Sequence, residues 1–463
     1  MNIQVLILIF KGNNGFLVEA LVFKMKTFSN IIFIIFILIG CDDSHNTNTE
    51  EMENALSEMY WTIQSGSVSN DVIYDITIDK NDSIYLSGYT QGSVTGSSNI
   101  GNKDVILIKH NKNGKIDWSR QVGTVSNDEG KGIKYDSQNN IYVIGTTYSS
   151  LDGNTHAGLS DIFLLKYNES GLKQWSSQLG TVNIDQAFSL FIDSSDNIYL
   201  TGRTNGDLVS NSNTDNKSDY FIIKYDNSGN RISSNQFGVL KDDISFDLIN
   251  DNTGNIYVSG STSNTLDNES HIGGKDIFLV KFDSSLNRLW TKTIGTSNDE
   301  EAYSIAMDSL GNSYVVGYTR GALDGNSRLG VINDKDIFII KYDENGNKEW
   351  SLQDGTPSED VAYNVAVDTS DYIYITGKTC SDFNGNSHKG DCDYFLKKIN
   401  SSGQLIWTRQ GGTSYLDISL GIDFDSLDNI YIIGYTFGSI DGKNKLGGSD
   451  YFVVKYNKDG YKQ

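Results

Sequence analysis

The sequence predicts an all-β fold: a seven-bladed β-propeller of four-stranded antiparallel blades, closed by an N-terminal strand that completes the last blade. Three observations predict it. A Trp-x4-Gly signature recurs at Trp61/Gly66, Trp118/Gly123, Trp175/Gly180, Trp290/Gly295, Trp350/Gly355 and Trp407/Gly412, and Ser233/Gly238 stands where the remaining tryptophan would fall. Successive spacings are 57, 57, 58, 57, 60 and 57 residues, and a fixed period in this range marks a solenoid, a propeller or an array. Each period holds four short apolar runs, and the two ends of the repeat region are offset by one run.

The fifth repeat shows the runs clearly: Tyr303 to Asp308, Ser313 to Thr319, Asp336 to Tyr342 and Asn347 to Asp354. They are rich in Ile, Val, Tyr and Phe and are separated by Gly, Asn, Asp and Ser, which is strand punctuation without a helical period. We call them strands a, b, c and d. Strand c is almost unbroken in its apolar character, as in Ile162-Phe163-Leu164-Leu165. A strand with one wet face alternates, so a continuous run predicts burial on both faces. Radially stacked blades provide that burial and leave only short edges. The signature tryptophans and the strand-b tyrosines (Tyr85, Tyr142, Tyr199, Tyr257, Tyr314, Tyr374, Tyr431) are the expected blade-to-blade packing residues. The junction at Ser233 is expected to be the loosest.

The region opens with a lone d-type segment around Met59 to Gly66 and closes at Tyr456 to Gln463, where a seventh strand d would begin. Seven strands of each type result only if the first segment completes the last blade. The recurrent Asp-x2-Gly/Asp-Asn-Ile-Tyr-Val/Leu-x-Gly-x-Thr block, as at Asp251 to Thr262 and Asp425 to Thr436, is followed by Asp-Ile/Tyr-Phe-x2-Lys-Tyr, as at Asp161 to Tyr167. On these blocks residues 58–463 resemble the bacterial seven-bladed propeller (SBBP) repeat family. The resemblance implies a secreted or surface protein and no particular chemistry.

Ahead of the repeats, Lys26 precedes the apolar run Ile31 to Ile39, which ends in Leu38-Ile39-Gly40-Cys41. A basic start, an apolar stretch and a small residue at the break describe an export signal, and the ending resembles a lipobox with Cys41 as the lipidated residue. Residues 1–40 are read as this signal or anchor segment, with Met25 the natural start and 1–24 an over-extended one. The alternative is an uncleaved membrane anchor, but the apolar stretch is short for a span of about 20 residues. Residues 41–57 read as an acidic flexible tether. The expected location is extracytoplasmic, as a membrane-anchored lipoprotein of a bacterial cell envelope. With Cys41 lipidated, Cys380 and Cys392 remain at the two ends of one b–c loop, and a disulfide is expected there over two free thiols.

The chain carries 37 basic and 59 acidic residues, a formal net charge of −22. That balance argues against nucleic acid and against anionic lipid surfaces as ligands, and leaves cations and basic partners as the compatible class. The a–b and c–d turns are tight, whereas the b–c and d–a connections are longer and leave on the same face. Any site is therefore expected on the b–c/d–a face, with the long b–c loop Gly321 to Lys335 the first place to look for a partner.

Five residues after each signature glycine comes an acid: Asp71, Asp128, Asp185, Asp243, Glu300, Asp360 and Asp417. Two readings are open. The seven could ring the mouth of the central channel and collect a cation, or each could cap its own d–a turn. The Asp and Lys that bracket strand c, as Asp161 and Lys166, read as the polar ends of a buried strand. His156, His271 and His388 occupy equivalent positions in alternate repeats, too far apart to share a metal, and read as solvated loop residues. The Asp-Gly-Asn turns (Asp152-Gly153-Asn154, Asp324-Gly325-Asn326) raise calcium as a weak alternative, but they lack oxygen donors at alternating positions. No cofactor, no metal site and no catalytic residue is assigned. The expected function is a non-catalytic, monomeric binding or scaffold protein at the envelope, with a protein or glycan partner and membrane contact only through the lipid. The alternative is a glycan-active hydrolase or lyase. An axial pocket lined by non-repeating acids, Tyr or Arg would favour the enzyme, and a filled channel the scaffold.

Overall fold

A computed structural model describes residues 61–463 apart from 95, 210–216, 239, 268 and 331–333, together with the backbone of 3–11, 17–25 and 32–36. The chain divides into two units, Met1–Ala55 and Leu56–Gln463. In the first, Ile3–Lys11, Leu17–Met25 and Ile32–Phe36 form a three-stranded antiparallel sheet. Cys41 and residues 42–57 lie outside the described residues. Among the described residues no helix is long and apolar enough to cross a membrane.

The second unit is seven four-stranded antiparallel sheets. Blade 1 consists of strands a to d at Asp71–Ile78, Ile84–Thr90, Asp104–His110 and Ile116–Val122. Blade 2 is Asp128–Tyr135, Ile141–Thr147, Asp161–Tyr167 and Lys173–Leu179; blade 3 is Asp185–Ile192, Ile198–Thr204, Asp219–Tyr225 and Arg231–Phe237. Blade 4 is Asp243–Asn250, Ile256–Thr262, Asp276–Phe282 and Arg288–Ile294; blade 5 is Glu300–Met307, Ser313–Thr319, Asp336–Tyr342 and Lys348–Asp354. Blade 6 is Asp360–Val367, Ile373–Thr379, Asp393–Ile399 and Leu405–Gly411. Blade 7 takes Asp417–Phe424, Ile430–Thr436 and Asp450–Tyr456 from the end of the chain, and its strand d is Thr62–Ser65. Strand a begins three residues earlier than its apolar run in blade 5, because the acid that precedes the run already pairs in the ladder.

Burial explains the patterns. Strands b and c are buried along nearly their whole length in every blade. Six of the seven strand-b tyrosines meet the tryptophan of their own blade, as Tyr85 and Trp118 at 6.1 Å and Trp61 and Tyr431 at 5.1 Å. The tryptophan in turn packs on the glycine of the next blade's c–d turn: a Cβ on Gly171 would stand 2.7 Å from the Trp118 ring. That glycine also needs its φ of +73°, so its identity is fixed twice. The strand-c lysine lies over the tyrosine ring, as Lys166 over Tyr142 at 5.0 Å, and the a–b turn aspartate accepts the tyrosine hydroxyl, as Asp136 from Tyr142 at 3.1 Å. The disulfide joins Cys380 to Cys392 across the base of the blade 6 b–c loop.

The junction at Ser233 is repacked. The turn position that is glycine in the other blades is Leu286 in blade 4, buried to 2% and held at φ 65°. Tyr199, without a tryptophan beside it, stacks on Phe191 at 4.5 Å, and Leu286 joins the same core cluster. The apolar layer is therefore filled where the sequence predicted looseness. What this junction lacks is polar, and it lies at the a–b turn face.

Candidate functional site

The first residue of every strand a is one of the seven recurrent acids, and each is fully buried. None lines the channel mouth, which corrects the cation-collecting reading. Asp128 Oδ2 accepts the N–H of Thr124 at 2.6 Å and its hydroxyl at 2.9 Å. Asp71 does the same with Ser67, Asp185 with Thr181, Glu300 with Thr296, Asp360 with Thr356 and Asp417 with Thr413. The strand-b threonine supplies a further donor, Thr319 to Glu300 at 2.8 Å. Asp243 is the same residue of blade 4, equally buried. The main-chain N–H of each acid also bonds back to the preceding blade, as Asp128 to the Lys103 carbonyl at 2.8 Å. These acids therefore close d–a turns and tie blades together. Burial pushes the Asp360 and Asp417 carboxyls up to about 6. The signature glycine follows from the same crowding: a Cβ on Gly412 would stand 2.5 Å from Asp393 Oδ1 and 2.8 Å from Asp417 Oδ2.

The strand-c acids pinch the base of the b–c loops. Asp161 Oδ2 accepts from the Ala157 N–H and the Gln178 amide, both at 2.8 Å. His156 and His271 are half-buried beside these acids, with Nδ1 3.3 Å from Asp161 and 3.2 Å from Asp276, and not fully solvated. The N–H of His388 donates to Asp382 at 2.7 Å. Among the described residues no group of three or more His, Cys, Asp or Glu could hold a metal. In the Gly321 to Lys335 loop, 331–333 lie outside the described residues.

The non-repeating side chains meet on the axis. Every strand a carries a β-bulge at its fourth residue, where the register with strand b shifts. A bulge re-aims a side chain, and these seven put Tyr74, Lys131, Phe188, Phe246, Tyr303, Tyr363 and Leu420 on one level of the channel. Successive rings touch: Phe188 and Phe246 at 5.6 Å, Phe246 and Tyr303 at 5.1 Å, Tyr303 and Tyr363 at 5.5 Å. Lys131 lies 3.5 Å above the Tyr74 ring and pairs with Glu129 at 2.7 Å. This belt splits the channel. On the loop side a cavity of about 270 Å³ is lined by Val72, Tyr89, Ile418 and Tyr435. On the other side a cavity of about 760 Å³ is lined by the fourth to eighth residues of the a strands, towards the a–b turns. The larger space therefore faces away from the loops on which the site was expected.

Below the belt the polar residues are asymmetric. Asp75 Oδ2 accepts the Ile133 N–H at 2.9 Å and the Lys134 ammonium at 3.1 Å. Asp247 accepts from Ser189 Oγ at 2.6 Å, Ser304 Oγ at 2.9 Å and the Ile305 N–H at 3.0 Å. Asp423 accepts the Ile78 N–H at 2.7 Å. Each acid thus holds a main-chain N–H of the next blade. Burial pushes the Asp423 carboxyl up to about 6 against the pull of Lys134, and raises Asp247 as well, against the serine hydroxyls. Burial alone would lower Lys134, but the carboxylates of Asp75, Asp423 and Asp247 outweigh it and hold the ammonium above its ordinary value. The repeat signature does not mark these residues. Comparing the fourth, fifth and seventh positions of strand a across the seven repeats would have found them, since Asp75, Asp247, Lys134 and Asp423 break an otherwise small or apolar pattern.

Four segments of the chain, residues 117–152, 174–208, 289–323 and 349–384, match the β-propeller repeat described as SBBP. An uncharacterised WD repeat-containing protein of Acanthamoeba polyphaga mimivirus is 24% identical over 444 residues, covering 75% of this chain and 32% of that protein. The regulatory protein FlaEY of Caulobacter vibrioides is 27% identical over 182 residues, covering 35% of this chain and 19% of its own length. The chain thus spans a third or less of these relatives. Among solved structures, the Pan2 WD40 domain of Neurospora crassa aligns with a TM-score of 0.48 at 10% identity, covering 84% of this chain and 91% of that one.

Proposed function

From a chain that belongs to the SBBP β-propeller repeat family, we propose a non-catalytic binding propeller, tethered through a lipid on Cys41 to the outside of the cell envelope, that holds its ligand at the axial cavity below the aromatic belt. One observation carries the binding reading. Every carboxylate that faces this cavity is already committed to the N–H of a neighbouring blade, so the acids shape and polarise the site while the ring stays rigid. A general acid or base has to reach a proton on the substrate, and these oxygens are spent on structure. The aromatic edges and the uncommitted Asn364 supply contact surface with few polar groups, as ligand cavities do.

One observation favours catalysis: Asp423, with its carboxyl at about 6, stands beside Lys134 together with Asp75. Incubation with extracted envelope polysaccharides separates the two readings. Binding without new reducing ends or unsaturated uronate absorbance is expected, and product formation abolished by Asp423→Asn would replace binding with hydrolysis or lysis. For the anchor, Cys41→Ser is expected to move the protein from the membrane pellet to the soluble fraction. Full retention in the pellet would refute lipid tethering.

A further inference from the structure

The seam between blades 3 and 4 breaks three repeated contacts at once. At the other junctions the strand-c lysine is engaged: Lys109 with Glu169, Lys166 with the Asn227 carbonyl, Lys281 with the Glu344 carbonyl, Lys398 with the Lys458 carbonyl, and Lys341 and Lys455 in ion pairs with Glu349 and Asp425. Lys224 has only the Tyr199 ring, 4.8 Å away, and makes no hydrogen bond or ion pair among the described residues. Four junctions also carry a clip in which a Ser or Thr of one a–b turn donates to the left-handed Asp of the next, as Ser137 to Asp196 at 2.7 Å and Ser426 to Asp82 at 3.1 Å. The residue that would accept from Ser194 is Gly254, at φ 85°. The third loss is the signature tryptophan, replaced by Ser233.

On the a–b turn face of this seam lies a cleft of about 450 Å³, lined by Lys224, Ser194, Asn252 and Ser284 among others. Phe191 and Asn250 line both this cleft and the axial cavity, so the cleft adjoins the axial cavity across these two side chains. Its acids are closed to a ligand. Asp193 is saturated by Ser195, Asn197 and Tyr199, and Asp251 by Thr253, Asn255 and Lys281. What stays open are an ammonium, which only donates, and hydroxyls and an amide, which donate and accept. Open donors require a ligand rich in acceptor oxygens. A molecule of formal charge −22, with two carboxylates in the cleft wall, disfavours an oxyanion. A polyhydroxylated neutral ligand meets both conditions, and the stacked Phe191–Tyr199 pair supplies an apolar wall.

We infer that the blade 3/4 seam is a subsite for a neutral oligosaccharide, whose chain runs from the axial cavity to the rim; the inference rests on the axial cavity being the ligand site. The decisive variant is Gly254→Asp, which installs the missing clip. Asp82, Asp196, Asp371 and Asp428 occupy the equivalent position at φ 59–62°, and a Cβ at Gly254 meets nothing within 4 Å. Cellohexaose, xylohexaose and mannohexaose, with trigalacturonate as the charged probe, are titrated calorimetrically into the full chain. At least one neutral hexasaccharide is expected to bind. Gly254→Asp and Lys224→Met should each weaken it by about tenfold or more, with unchanged melting temperature. Undiminished binding in both variants, with loss in the axial variant Asn364→Ala, overturns the seam and leaves the axial reading standing. Binding of trigalacturonate alone overturns the neutral class, and no binding by any of the four probes overturns the saccharide assignment.

Discussion

At the scale of single residues, the molecule stores a pH dependence in its buried turn acids. Burial pushes the Asp360 and Asp417 carboxyls up to about 6 from an ordinary 3.8. A native state that takes up protons at higher pH than the unfolded chain becomes more stable as the pH falls through the raised value, and the gain is complete near the ordinary value. Turn acids such as Asp226 and Asp283 oppose this only at lower pH, because bonds from the Asn230 and Asn287 side chains hold them below the ordinary value. The melting temperature is therefore expected to rise from pH 7 to pH 5 and to fall again below about pH 4. Calorimetry at fixed ionic strength checks this, and Asp360→Asn should flatten the rise. A melting temperature that drops steadily from pH 7 would contradict the assignment. The position of these acids was legible in the sequence as one residue per repeat, but their direction was not. A carboxylate at the head of strand a can face the axis or the turn behind it, and only the threonine four residues back, present in most copies, favoured the turn.

At the scale of the element, the blade 3/4 junction shows two substitutions compensating each other. Ser233 removes the indole and Leu286 enters from the facing turn, in a left-handed conformation that a leucine tolerates at a cost of about 1–2 kcal/mol. The pair therefore predicts coupling. Ser233→Trp alone should overpack and destabilise by about 1–3 kcal/mol. Leu286→Gly alone should leave a cavity worth about 2–5 kcal/mol, less the strain relieved. The double variant rebuilds the contact of the other junctions and should be more stable than the sum of the two, with a coupling energy of about 1–3 kcal/mol in a denaturant-unfolding cycle. Additive effects would show that the two residues do not share a space. The disulfide is a second local device. It closes a loop of sequence separation 12, and reduction should cost about 3 kcal/mol by the loop-entropy model, read as a lower urea midpoint. Blade boundaries and strand order were legible because Tyr, Trp, Gly and the apolar strand c recur with the period. The axial site was not, because it is made by what fails to recur: bulged positions where Tyr74, Lys131 and Leu420 are chemically unrelated. A period reads architecture, and function here lies in the departures from it.

At the scale of the whole molecule, ring closure rests on one short strand. Thr62–Ser65 pairs with Tyr451 to Val454, and the side chains repeat what every other blade does. Gln64 donates to Asp450 at 2.9 Å as Gln121 does to Asp104 at 2.8 Å, across 386 residues of chain instead of 17. Trp61 meets Tyr431 through its ring, and its main-chain N–H donates to the Gln463 carbonyl. The closing contact thus repeats the side-chain bonds of an internal one on a shorter ladder, and its loss should be felt beyond blade 7, since an open ring exposes the edge of Asp450–Tyr456 to pairing with another copy. Two truncations separate closure from the segment ahead of it. Removing residues 1–57 should leave the melting temperature unchanged, because no strand of the ring is touched. Removing 1–66 takes away the Trp61 contact, worth about 3–5 kcal/mol by comparison with buried aromatic deletions, and the four-residue ladder with it. The shorter chain is expected to melt much lower and to elute partly as dimers or larger species in size-exclusion chromatography. Equal melting temperatures and a single monomer peak for both truncations would mean that the ring holds without its clasp.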